Sequence, residues 1–561
     1  MKYIKTLWTN KNNFQEINNL IDKEYQISSM QYVEEFFNQH QEDFIPAVDL
    51  ILKTIEEEKP ILVSGDYDVD GMTATAIVYK SLKDIYDKVY WFVPDRITQG
   101  YGLHPDVVKE KLTSPGLVIT VDTGISEFDH VQEIKALGHK VIVTDHHLPD
   151  TDKLPCSDAL IDPKIWNEEG TTDYLASGGT VAAKLMYHLK KIKGETAFDP
   201  FVMQLVALGI LSDVIELNVP MKHLLQYGLT LLQSTDHPGL RALFKLCRIS
   251  EEAPITTQIL SFNILPKLNA AGRMGQSFKG VELLLTPMEL DGTAEAHSLF
   301  LATELLELNQ TRKTIENAIY VEAMDQAVQY SYTHSNSIVV YKEGWHPGVL
   351  GIVAARLMEQ FYRPTVVMTN DCGLIKGSCR SVEDFDIYNV LKQCGDAVAE
   401  FGGHAVAAGI TLEKDGLKKF QEAFEHTIST VGLPTEKVYE YNDTLTFDQC
   451  QDIPFLVSLN VKEPVGNKNS EWLFRLEPSN LRFIGNSGAS VALLLKNNED
   501  QILIVKKFRP QQKYDIYVNT VVDVLVTPIF TYFGGTVQVE WRLVDIKTHK
   551  EEDNTNDSAD A

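Results

Sequence analysis

The chain is short of positive charge. Lys and Arg number 51 against 78 Asp and Glu, a formal net charge of −27 over 561 residues. Its average surface field repels phosphate backbones and acidic membranes, so any polyanion must be held locally, by metal ions on surplus carboxylates or by a confined arginine cleft. Long apolar runs are also missing: no stretch of 18 apolar residues occurs, which excludes a conventional membrane-spanning helix. The opening MKYIKTLWTNKNN lacks the apolar core and small-residue cleavage site of a secretory signal, so a cytoplasmic protein is expected. Cysteines are few and scattered (Cys156, Cys247, Cys372, Cys379, Cys394, Cys450), with no C-x-x-C pair. That pattern fits a reducing compartment better than a disulfide or zinc framework.

What is present is ordinary globular material, 44% apolar and 23% charged, which rules out a wholly disordered or fibrous chain. At roughly 100–200 residues per domain, the length favours several domains. From about 60 to 165, short apolar runs alternate with helical patterns: ILVSGD from 61, VYWFVP from 89, LVITVD from 117, KVIVTDHH from 140 and ALIDP from 159. Such runs predict an α/β domain with a parallel sheet covered on both faces, whose ligands bind at the carboxyl edge of the strands. Helical patterns follow from about 175 to 330, including FVMQLVALGILSDVIEL and a long stretch without proline after Pro287. A second small α/β pattern spans about 335 to 430, and a strand-rich segment with turn residues between runs suggests an OB-like β-barrel. The expected division is an N-terminal segment (1–45), a catalytic domain (46–230), a helical connector (231–334), a second α/β domain (335–432), the barrel (433–547) and an acidic disordered tail (548–561).

The strongest local signal is SGDYDVDG, where Asp66, Asp68 and Asp70 alternate between a strand and a helical pattern. On extended backbone they share a side, and three carboxylates that close repel unless a cation lies between them. Asp122 and the run Asp145, His146, His147 end two further strands at the same predicted edge. Asp213 sits in an apolar helical context, which is costly unless the carboxylate is paired or ligates metal. A lone acid at a strand end is ordinarily a turn former or helix cap. Together, however, these acids and the imidazole suit manganese or magnesium, and two such ions catalyse in-line phosphoryl chemistry.

These residues resemble those of the DHH phosphoesterase family, and DYDVDG with DHH resembles more narrowly its bacterial branch of single-strand-specific 5′ to 3′ exonucleases. PDRITQGYGL, SDVIEL, LPKLNAAGRMG, EGWHPGVLGIVAARL, KGSCRS, FGGHAVAAGI and EPVGNKNSEWLF also match that branch, in the same order. The resemblance implies a parallel-sheet DHH domain, a long connector helix, a DHH-associated substrate-binding domain and the OB-like barrel. It implies Asp68, Asp70, Asp122, His146 and Asp213 as ligands of two Mn2+ or Mg2+ ions, with Asp122 bridging. His147 would contact the scissile phosphate, while Asp66 and Asp145 stand behind the ligands and orient them. Where some members have a histidine four residues before the first ligand, this chain has Ser64.

Across the cleft, the resemblance assigns phosphate binding to Arg96, Arg273, Ser378, Arg380, Gly402, Gly403 and His404. Arg380 offers a planar fork to phosphate oxygens, and the glycines permit close backbone approach. KKFRPQQKY (506–514) mixes Lys506, Lys507, Arg509 and Lys513 with two aromatics, which fits either a single-strand groove or a charged strand edge. The implied activity is release of mononucleotides from single-stranded DNA with a 5′ end, in repair and recombination. The implied partners are a single-strand-binding protein and a helicase, with the enzyme a monomer. A family hydrolase of short oligonucleotides, cyclic dinucleotides or pyrophosphate, and a non-catalytic replication scaffold, are the competing readings.

Overall fold

The computed structural model describes residues 5–10, 29–166, 173–194, 198–251, 253–287, 292–331, 336–371, 373–434, 436–459, 463–486, 490–508, 514–533 and 536–549. Strand β1 (Lys5–Asn10) pairs in parallel with β12 (Glu436–Tyr441). The first sheet contains β2 (Ile61–Gly65), β3 (Val89–Phe92), β4 (Leu117–Val121), β5 (Lys140–Thr144) and β6 (Ala159–Ile161) in the order β3-β2-β4-β5-β6, with every pair parallel. Strands β2 and β4 are buried at every residue, as continuous apolar runs in a doubly covered sheet require.

Helices α1 (Val69–Lys83) and α2 (Gly178–Ile192) pack on this sheet, and α3 (Pro200–Ser212) packs on both of them. Helix α3 is shorter than the apolar pattern through Leu217 suggests. It stops at Ser212 because Val214 adopts φ = +55°, where a helix cannot continue. Helix α4 (Leu265–Arg273) leads to α5 (Gly292–Tyr330), which has 39 residues and, at 1.5 Å per residue, is roughly 58 Å long. Its Leu301, Ala302 and Leu305 join the core of the first sheet. Its Ile319, Ala323 and Ala327 join a separate core with Ile338 and Val353, so one rigid rod ties the two α/β units together.

The second sheet comprises β7 (Ile338–Tyr341), β8 (Thr365–Asp371), β9 (Leu374–Arg380), β10 (Glu400–His404) and β11 (Ala407–Leu412) in the order β10-β11-β9-β8-β7, backed by helix α6 (Leu350–Phe361). Beyond it lie β13 (Asp443–Leu445), β14 (Phe474–Leu476), β15 (Ser479–Asn486), β16 (Ser490–Lys496), β17 (Ile502–Phe508), β18 (Val521–Phe533) and β19 (Thr536–Thr548). The pairings β15–β16–β17–β19–β18 return to β15. They enclose an apolar core that includes Phe447, Phe474, Leu493 and Trp541. Among the described residues no helix is long and apolar enough to cross a membrane. The tail from 550 lies outside the described residues.

Candidate metal centre and the facing arginine cleft

Strands β2, β4 and β5 are neighbours, so the residues that follow them emerge side by side. Asp68 caps α1 by accepting the Gly71 N–H at 3.1 Å, and Asp70 lies in the first helical turn. Asp122 follows β4 directly with φ = +59°, a left-handed conformation that Asp tolerates better than most residues. Asp70 is fixed from the opposite side by the start of α2: Oδ2 accepts the Gly178 N–H at 2.6 Å and Oδ1 the Gly179 N–H at 3.0 Å. Glycine is required in this cradle. A Cβ at Gly178 would lie 2.4 Å from Asp122 Oδ1, and one at Gly209 would lie 2.3 Å from Asp70 Oδ1.

The side chains thereby converge. His146 Nε2 is 3.0 Å from Asp122 Oδ1, 3.6 Å from Asp213 Oδ2 and 3.9 Å from Asp70 Oδ2. Three overlapping groups each offer three ligand atoms within 4.8 Å of one another: Asp70, His146 and Asp213; Asp66, Asp68 and Asp122; and Asp122, His146 and His147, which joins the first two. Asp66, expected behind the ligands, presents an oxygen among them. Burial raises the carboxyl pKa of Asp70 to about 7 and of Asp213 to about 8, reinforced by neighbouring carboxylates. Burial and the same repulsion push Asp66 and Asp122 well above the usual carboxylate range. Asp66 Oδ1, Asp122 Oδ1 and His146 Nε2 are buried without a hydrogen bond, despite the close approach of the last two. Buried polar atoms left in this state need a partner, and oxygen-rich donors with one imidazole fit Mn2+ or Mg2+.

Asp145 does a different job. Its Oδ2 accepts the Ile125 N–H at 2.9 Å, and its Oδ1 accepts the His146 N–H at 2.7 Å and His147 Nδ1 at 2.7 Å. Burial works against its charge, but the His147 hydrogen bond and charge prevail and hold its pKa at about 2. Burial likewise opposes protonation of His147, and the Asp145 bond overcomes it, giving a pKa of about 9. The Asp145 bond thus engages Nδ1 and favours the protonated imidazole.

Facing the acids is an arginine cluster. Arg273 in α4 is lowered to about 10 by burial, then by Arg96, Arg380 and Arg312. Arg96 lies 5.0 Å over the Tyr67 ring, and Arg380 Nη1 donates to Ser378 Oγ at 3.1 Å and to the Cys379 carbonyl at 2.7 Å. Like-charged guanidiniums crowded in a low-dielectric cleft call for an anion, as the carboxylates opposite call for cations. Gly403 takes φ = +139° in β10, where a Cβ would meet the Ala407 carbonyl at 2.4 Å, whereas Gly402 has open space. His404 lines the same cleft; loss of surrounding water, then the charges of His147 and Lys164, push its pKa down.

Several participants escaped the sequence reading. Lys164 Nζ donates to the His146 carbonyl, and Tyr101 Oη lies 3.4 Å from His147 Nδ1. Ser177-Gly178-Gly179 was legible in principle as a helix cap followed by two side-chain-free positions. In KKFRPQQKY, Lys506 pairs with Glu540 at 2.7 Å, Lys507 donates to the Val544 carbonyl at 3.0 Å and Tyr514 is buried. Strand β17 is paired on both sides, so these lysines do not sit on an open edge, and Phe508 beside them is exposed. Arg509 and Lys513 lie outside the described residues.

The N-terminal domain of the DHH family matches residues 60–210, and the DHHA1 domain matches residues 332–430. The single-stranded-DNA-specific exonuclease RecJ of Bacillus subtilis is 32% identical over 472 residues, covering 81% of this chain and 57% of that protein. RecJ of Salmonella typhimurium is 36% identical over 404 residues, 68% of each chain. The chain thus spans 57% to 68% of the length of these two relatives. The crystal structure of RecJ from Thermus thermophilus in complex with Mn2+ superposes with a TM-score of 0.79 at 25% identity, covering 98% of this chain and 80% of that one. With its parallel sheet, its acid and histidine edge and its facing second domain, the chain belongs to the RecJ family within the wider DHH family.

Proposed function

We propose that this protein is a divalent-metal-dependent exonuclease that degrades single-stranded DNA from its 5′ end and releases mononucleotides, acting in repair and recombination. One observation carries the reading: buried carboxylate and imidazole atoms left without hydrogen bonds, which need cations, lie close to the half-buried guanidiniums of Arg96, Arg273 and Arg380, which need an anion. A nucleic-acid end bridging two metal ions and an arginine cluster satisfies both demands. Asp66, Asp68, Asp70, Asp122, His146 and Asp213 would hold the ions. Once bound, two such ions supply Lewis-acid stabilisation of phosphoryl oxygens and an activated water.

The chain's own groups do the rest. Arg96, Arg273 and Arg380 grip a terminal phosphate and so count from a free end, while Ser378, the Gly402–Gly403 backbone and His404 contact the strand beside it. His147, kept protonated by Asp145, donates from Nε2 to the scissile phosphate. Such a protein works as a monomer in the cytoplasm, on strands opened by a helicase and coated by a single-strand-binding protein.

The test uses single strands labelled at the 5′ or the 3′ end, with manganese, magnesium or chelator present. Mononucleotide label released first from the 5′ end, and only with metal, is the expected outcome. Release first from the 3′ end, or hydrolysis confined to dinucleotides, overturns the proposal. Arg380→Ala should weaken binding of a 5′-phosphorylated single strand about tenfold and lower its salt dependence, while leaving Mn2+ binding unchanged. Filter binding and Mn2+ titration measure the two effects, and loss of the metal instead would place Arg380 wrongly.

A further inference from the structure

The turn carrying Asp213 is not secured by its own domain alone. After α3 ends, Val214 takes φ = +55°, a region that β-branched residues avoid. Val214 is 64% exposed, so burial of its side chain does not hold it there. The backbone is held instead, first by the cap of α3 itself, where the Ile215 N–H donates to the Ile210 carbonyl at 3.2 Å, and then by a distant loop. Asn467, in the loop before β14, donates Nδ2 to the Val214 carbonyl at 3.0 Å, and its own carbonyl accepts the Leu217 N–H at 2.9 Å.

That loop is braced. Gly466 and Asn469 exchange backbone hydrogen bonds of 3.0 and 3.1 Å, and Glu463 Oε2 accepts from Thr257 Oγ1 at 3.0 Å. Gly466 packs so closely that a Cβ there would lie 2.7 Å from Leu217 Cδ1. A stiff loop from the C-terminal unit therefore grips both ends of the turn that follows the Asp213 carboxylate.

We infer that Asn467 is a positioning residue for the metal site: by holding Val214 in the left-handed region, it aims Asp213 at Asp70 and His146. The inference rests on the metal-centre reading above. It makes the C-terminal unit a determinant of one ion's affinity, because Asp66, Asp68 and Asp122 are carried by the ends of β2 and β4 and the start of α1.

The test is Mn2+ titration of the full chain by calorimetry, with circular dichroism confirming the fold of each variant. Wild type should bind two Mn2+ ions. Asn467→Ala, and Asn467→Leu, which keeps bulk but cannot donate, should weaken one ion about tenfold, ~1.4 kcal/mol, and leave the other unchanged. Adding Val214→Asn to Asn467→Ala should recover most of the loss, because asparagine enters the left-handed region readily. A merely structural role for Asn467 would not be rescued in this way. Equal affinities in wild type and both Asn467 variants, equal weakening of both ions, or no recovery with Val214→Asn each overturn the inference. A wild type that binds no Mn2+ overturns the metal centre itself, and the positioning role with it.

Discussion

Asp122→Asn is expected to lower hydrolysis of single-stranded DNA by about 10³-fold or more in either manganese or magnesium. The substitution isolates charge from shape. Asparagine is isosteric with aspartate and, unlike alanine, is at ease at the φ of +59° found here. The lost property is an anionic oxygen that sits 3.0 Å from His146 Nε2 and belongs to the group with Asp66 and Asp68. Without metal, that carboxyl is buried and already forced well above its ordinary pKa, by desolvation and then by Asp70, Asp68 and Asp66. Removing it should not destabilise the metal-free fold, and the variant should melt at or above the wild-type temperature. Calorimetry and a nuclease assay on one preparation separate lost chemistry from lost folding. Unchanged turnover contradicts the site.

Metal affinity should climb steeply with pH. Asp70, with a pKa of about 7, and Asp213, at about 8, must both lose protons before they can ligate a cation. Between pH 6 and pH 8 the Mn2+ affinity of the wild type should rise roughly 10²-fold, with protons released on binding. The metal-free protein behaves in the opposite sense. A carboxyl whose folded pKa is raised binds more protons folded than unfolded, so its stability contribution is complete below the unfolded value near 4 and is lost as pH rises through 7 to 8. The melting temperature of metal-free protein should therefore fall between pH 6 and pH 8, and saturating Mn2+ should remove that fall. Calorimetry in two buffers of different ionisation enthalpy reads the protons. A pH-independent affinity would mean that these two carboxyls are not ligands.

Much of this centre was legible in the sequence, because several neighbouring strand ends carry acids and imidazoles together, more than turns and helix caps require. Five apolar runs predicted five parallel strands, and the parallel arrangement alone brings Asp66, Asp122 and Asp145 to one edge. What stayed hidden depends on contacts between distant segments. Gly178 and Gly179 look like an ordinary helix start until their N–H groups are seen on Asp70, more than 100 residues away in the chain. Asp213 reads as helical from its apolar context, yet the helix breaks at Val214, where a loop some 250 residues later in the chain holds the turn. Lys506 and Lys507 read equally well as a nucleic-acid groove or a charged strand edge, and nothing local to them reports that Lys506 meets Glu540 and Lys507 the Val544 carbonyl. Local pattern reports which groups line an edge; it does not report which neighbour engages them.

The central claim is that two oxygen-rich groups hold two divalent ions beside an anion-seeking cleft. Anomalous diffraction at the manganese edge, from crystals grown at pH 8 with Mn2+, tests it most directly. Two peaks are predicted, one among Asp66, Asp68 and Asp122 and one among Asp70, His146 and Asp213. Absence of both peaks at saturating Mn2+, or peaks bound elsewhere on the chain, would contradict it.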